Sequence, residues 1–107
     1  MNIEAIAAER FWFAIAPDGG EHSIALRIGL PQQQPQGAWA VNVAIVPIDR
    51  SPHSIVGIDS WQAIDEGMLH LRLMVKHYQS LGWRFFWERG GEEASPADLG
   101  RTAAENP

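Results

Sequence analysis

Hydrophobic and polar positions alternate through the first half of the chain, and then the period changes. Glu9 to Ala16 is an aromatic-rich run that reads as a strand, ended by the turn signal Pro17-Asp18-Gly19-Gly20. From Ser23 to Leu30, Ile24, Leu26, Ile28 and Leu30 fall on one face and Ser23, Ala25, Arg27 and Gly29 on the other, so the two segments form a hairpin. Pro31 to Gly37 is a polar, glutamine-rich loop. Alternation resumes from Ala38 to Val46 with Trp39, Val41, Val43 and Ile45 inward and Asn42 on the wetter side. After a turn from Pro47 to Pro52, Ser54 to Ile58 makes a fourth strand.

Beyond Gly57 the apolar spacing becomes helical. Asp59 is placed to cap the first turn with Gln62 reaching back to it, and Gly82 can adopt the left-handed conformation that ends a helix. The helix between them has roughly 22 residues and is about 33 Å long. Ile64, Gly67, Met68, Leu71, Met74, Val75 and Tyr78 share one stripe, with Trp61 at its edge. Gly67 costs about 1 kcal/mol relative to Ala inside a helix, so its place on the stripe implies a close approach to the sheet. Trp83, Phe85 and Trp87 then alternate with Arg84, Phe86 and Glu88 as a fifth strand. The predicted fold class is α+β: a twisted antiparallel sheet of four to five strands with one long helix packed on one face. Residues 1–89 make one domain. Residues 90–107 are expected to be a mobile acidic tail, because Leu99 is their only large apolar side chain; Ser95-Pro96-Ala97-Asp98 starts a helix that has little to bury.

Composition narrows the chemistry. The 107 residues include no cysteine, which removes disulfides, thiolate nucleophiles and cysteine-based zinc sites. A net charge of −5 with scattered basic residues disfavours nucleic acid and suits a basic protein partner. The first residues carry no basic leader pattern and no apolar run reaches a membrane-spanning length, so the expected location is cytoplasmic, with no membrane partner.

The Gly57-x-Asp59-Ser60-x-Gln62-Ala63 helix start, the long helix and the Gly82-to-Trp87 strand, with Ala8-Glu9-Arg10-Phe11 and Gly29-Leu30-Pro31 before them, resemble a family of short bacterial proteins catalogued as a domain of unknown function. The likeness spans most of residues 7–88 and implies this fold but no activity. Small single-domain proteins of that kind often accompany secreted toxins as immunity proteins, an analogy at the level of fold.

Candidate reactive groups have simple explanations. His70 and His77 are about 10.5 Å apart along the helix, too far to share one ion, and Glu66 precedes His70 by four residues, as in an exposed electrostatic pair. His22-Ser23 and His53-Ser54 lack a nucleophile elbow, and Asp18, Asp49 and Asp59 sit where carboxylates serve turns and caps. No catalytic residue, metal or cofactor is expected, and the chain reads as a non-enzyme.

Leu69 and Leu73 stand apart. They lie four residues apart on the helix side opposite the core stripe, among Gln62, Asp65, Glu66, Arg72, Lys76 and Ser80. Three covers remain open: the chain's own termini, a partner or second copy, or none. A partner or homodimer interface would comprise Leu69, Leu73, Gln62, Glu66 and Lys76. The expected function is protein binding, in the form of an immunity-type protein that binds a secreted toxin on its acidic loops or on the open sheet face around Arg27, Asn42 and Ala44. The alternative is a small-molecule binder or minor enzyme with a pocket beside Trp39 or Trp83, between helix and sheet.

Overall fold

A computed structural model describes residues 5–100. Its strands are β1 (Ile6–Ile15), β2 (Glu21–Gly29), β3 (Gln32–Gln33), β4 (Trp39–Val46), β5 (His53–Gly57) and β6 (Arg84–Phe86), with helix α1 (Ser60–Ser80) between β5 and β6 and a 3-10 turn at Pro96–Leu99. All pairings are antiparallel: β1 with β2 and β6, β4 with β2, β3 and β5. Val43 pairs with both Ile28 and His53, so β2 and β5 flank β4 on opposite edges. Trp39 and Ala40 pair with both β3 and β5, which puts β3 on the β2 edge, beyond the break at Pro31. The polar loop thus contributes a short sixth strand.

One face of this sheet carries the core. Trp12, Ile24, Leu26, Ile28, Val41, Val43, Ile45 and Phe85 are buried, as the alternation requires, whereas Leu30 at the end of its run is exposed. From α1 the buried residues are Ala63, Gly67, Leu71, Met74 and Val75, with Ile64 and Tyr78 partly covered. A Cβ on Gly67 would stand 2.8 Å from Val41 Cγ2 and 3.2 Å from Val43 Cγ1, so the helix does ride close on β4. Gly57 is tighter still, since a side chain there would meet the backbone of Ala63. Met68 and Trp61 differ from the expected stripe: both are exposed, because Ala63 and Gly67 draw the opposite flank of the helix down onto the sheet.

The caps hold α1 at both ends. Asp59 Oδ1 accepts from the Gln62 N–H at 2.8 Å, and Gln62 Oε1 reaches one residue further than the capping box, to the Ile58 N–H at 2.7 Å. At the other end Gly82 takes φ +102°. Trp83 N–H donates to Tyr78 O and Gly82 N–H to Gln79 O, the Schellman arrangement, and the Tyr78 and Trp83 rings meet edge-on at 5.8 Å.

The expected mobile tail needs correction over residues 90–100. After β6 the chain doubles back, Ala94 N–H donates to Phe85 O at 2.8 Å, and Ala94 is buried. Arg10 Nη1 donates to Asp98 O at 2.6 Å, and Leu99 packs against the core. Backbone pairing to β6 supplies the anchor that side-chain composition did not show. The remainder of the expected tail, 101–107, and the first four residues lie outside the described residues.

Candidate binding surface

The caps and the close approach fix α1 about its own axis, and that rotation decides which side chains face outward. Directly opposite the buried stripe stand Leu69, 44% exposed, and Leu73, 53% exposed. Lys76 and Ser80 are exposed, Glu66 is half-buried, and Gln62 is half-buried with its side-chain oxygen held by the Ile58 N–H. The sequence-derived interface residues therefore do share one face, although Gln62 brings mainly its amide NH2 to it. Fully covering two such leucines is worth roughly 1.5 to 3 kcal/mol each, less the part already buried.

The apolar surface extends along one flank. Trp61 is 84% exposed and Met68 41%. Met68 lines three adjoining clefts: one of about 120 Å³ toward Leu26, Ile28, Leu71 and Leu99, one of about 320 Å³ with Trp61, Ile64 and Asp65, and one of about 240 Å³ with Leu69, Arg72, Leu99 and Gly100. Thioether side chains adapt readily to irregular partners, so a methionine at this junction suits a docking face. Leu99 reaches the edge of the leucine ridge from the doubled-back segment, yet both leucines keep about half their surface. The apolar period puts Met68 on the core stripe and Trp61 at its edge, and so gives no sign of this flank.

The open sheet face, the other expected partner site, is partly closed by its own residues. Arg27 Nε donates to Glu9 Oε2 at 2.9 Å, and Ala44 is buried, while Asn42 and Phe11 remain exposed. Trp39 and Trp83 are each partly buried against the core. Trp39 pairs with Gly57 at the start of α1 and Trp83 follows its end, so the helix length separates them; the three clefts around Met68 include neither.

A second constellation, of polar groups, lies where the β4–β5 turn meets α1. Asp49 is buried; its Oδ2 accepts from the Ile45 N–H at 2.6 Å and its Oδ1 from the Tyr78 hydroxyl at 2.5 Å. Burial, then the hydrogen bond to Asp49 and its negative charge, raise the Tyr78 hydroxyl above the usual tyrosine range. His53 Nε2 lies 3.9 Å from Asp49 Oδ2, and the His53 and His70 rings are 5.2 Å apart. His70 thus faces His53, where an exposed pairing with Glu66 was expected. Its Nε2 is buried without a hydrogen-bond partner among the described residues, and burial, then the neighbouring His53, lower its pKa against a smaller opposing pull from Asp49. No group of three or more His, Asp or Glu residues is spaced to hold a metal ion among the described residues. A buried carboxylate holding both a strand N–H and a helix hydroxyl pins the turn to the helix.

No helix among the described residues is long and apolar enough to cross a membrane. Compared with family models, with curated proteins and with solved structures, the chain matches none.

Proposed function

We propose that this domain acts by binding protein through the outer face of α1, with Leu69 and Leu73 as the apolar centre and Gln62, Glu66 and Lys76 around it. The observation that carries the reading is the row of large apolar side chains, Trp61, Met68, Leu69 and Leu73, exposed on one side of a helix whose other side is fully engaged with the sheet. Contiguous apolar surface rimmed by charge is the usual form of a protein docking site. An immunity-type role, in which the acidic domain covers a basic secreted toxin, is one version of this reading; the net charge of −5 supports it.

A photoreactive phenylalanine analogue at position 73 tests the reading in cells that produce the protein. Irradiation should give protein adducts mapped to the outer face of α1. An analogue at position 42, on the open sheet face, serves as the control. Adducts at 42 with none at 73 would move the docking site to the sheet, and adducts at neither position would sink the protein-binding reading.

A further inference from the structure

The outer stripe of α1 consists of Gln62, Glu66, Leu69, Leu73, Lys76 and Ser80, spaced four, three, four, three and four along the chain. That alternation is the repeat of a coiled-coil seam. The stripe points away from Ala63, Gly67, Leu71, Met74 and Val75, which are buried against the sheet, and among the described residues Leu69, Leu73, Lys76 and Ser80 are exposed while Gln62 and Glu66 are half-buried. Read from its N-terminal end the seam is polar, acidic, Leu, Leu, basic, polar.

This order is complementary to itself when reversed. An antiparallel copy with its two-fold axis level with position 71 sets Leu69 against Leu73 of the second copy, Glu66 against Lys76 and Gln62 against Ser80. Symmetry repeats every contact. A parallel pairing in register sets Glu66 against Glu66 and Lys76 against Lys76, so charge selects the antiparallel arrangement. Arg72, beside the axis, runs its stem toward Gly100, on the flank of the seam. The leucine surface left open within one chain is thus matched, in position and in flanking charge, by the same surface turned through 180°.

We propose that α1 pairs with α1 of a second copy of this chain, antiparallel, through the Leu69–Leu73 seam. The proposal rests on the docking face described above and names its occupant. In the resulting dimer the two helices form the middle layers and the two sheets the outer ones, with both open sheet faces turned to solvent.

Sedimentation of the full chain up to about 200 μM, a range wide enough to follow a weak two-leucine seam from monomer to dimer, tests this with three variants: Glu66→Lys, Lys76→Glu and the two combined. The parent should dimerise. Each single change opposes like charges across the seam and should weaken the dimer about tenfold or more, while the double change restores opposite charges and should return it to within about threefold of the parent. All the changes lie outside the core, and circular dichroism checks that the fold is kept. A parent that stays monomeric at 200 μM overturns the proposal, as does a double variant no tighter than the singles. A second measurement uses the absence of cysteine in the chain. Equal amounts of Glu66→Cys and Lys76→Cys protein, mixed, should oxidise almost wholly to the 66–76 heterodisulfide, and a heterodisulfide share of only one half, which random pairing gives, would overturn the register. If the parent is monomeric while position 73 still crosslinks to a different protein, the second copy fails as occupant and the docking face stands. If neither is seen, both fail.

Discussion

Tyr78 donates its hydroxyl to Asp49 at 2.5 Å, and that contact joins the last turns of α1 to the turn between β4 and β5. Asp49 cannot relax away from Tyr78 without also releasing the Ile45 N–H. Replacing Tyr78 by Phe should therefore cost about 1 to 3 kcal/mol, the penalty for leaving a buried acceptor short of a donor. Urea denaturation measures it, and a change below half a unit would mean that Asp49 finds another donor.

The same contact predicts behaviour in alkali. Tyr78 is the only tyrosine, so tyrosinate absorbance reports it alone. Its folded-state pKa is raised, so above pH 10 the unfolded chain releases the proton while the folded chain keeps it, and stability falls as pH rises. The absorbance step should come well above pH 10 and coincide with unfolding. Ionisation near pH 10 in the folded protein would contradict the buried hydrogen bond.

Acid acts on the other side of the cluster. His70 has a lowered pKa in the folded state, beside His53 and Asp49, so below pH 6.5 the unfolded chain takes up a proton more readily. Stability is fully present above pH 6.5 and declines as pH falls through the lowered value. Thermal melting from pH 7.5 to pH 5 should show this decline, and His70→Gln should flatten it. An unchanged slope in that variant would assign the effect elsewhere.

Gly67 should resist the usual helix-stabilising substitution. On an exposed face Gly→Ala gains about 1 kcal/mol, but here the added carbon stands 2.8 Å from Val41 Cγ2, and overpacking costs about 1 to 3 kcal/mol. Gly67→Ala should lower the melting temperature, whereas Leu71→Ala, a cavity in the same interface, should cost about 2 to 5 kcal/mol. A more stable Gly67→Ala protein would show that the helix lies farther from β4.

Ending the chain at Arg89 removes buried Ala94, the packed Leu99 and the Arg10–Asp98 hydrogen bond. A loss of about 1 to 2 kcal/mol corresponds to a fall of roughly 5 to 15 °C for a domain of this size. An unchanged melting point would show that the segment adds nothing to stability.

The sheet and helix were legible because their periods are long and regular: Ile24, Leu26 and Ile28 in one strand, Val41, Val43 and Ile45 in another, and Asp59 and Gly82 bounding α1. Gly67 carried a three-dimensional message in one residue, a close approach that the packing shows. The docking of residues 90–100 is not legible in the sequence, because it is anchored by backbone pairing between Phe85 and Ala94, which leaves no trace in hydrophobicity. Met68 on the stripe and Trp61 at its edge stay exposed, because angular position alone does not reveal which way a helix leans. The apolar period places Tyr78 on the core stripe, but nothing in the sequence joins its hydroxyl to Asp49, 29 residues away. For the leucine ridge the sequence supplied the residues, and the structure added that they remain half uncovered.

Because α1 presents Leu69 and Leu73 on the side opposite Ala63, Gly67 and Leu71, its two faces answer to different selective pressures. A change on the inner face is tested against the fold, and few side chains pass. On the outer face a change leaves that packing untouched, so the residues there can drift, reverse their charge order or lose their leucines while the domain folds as before.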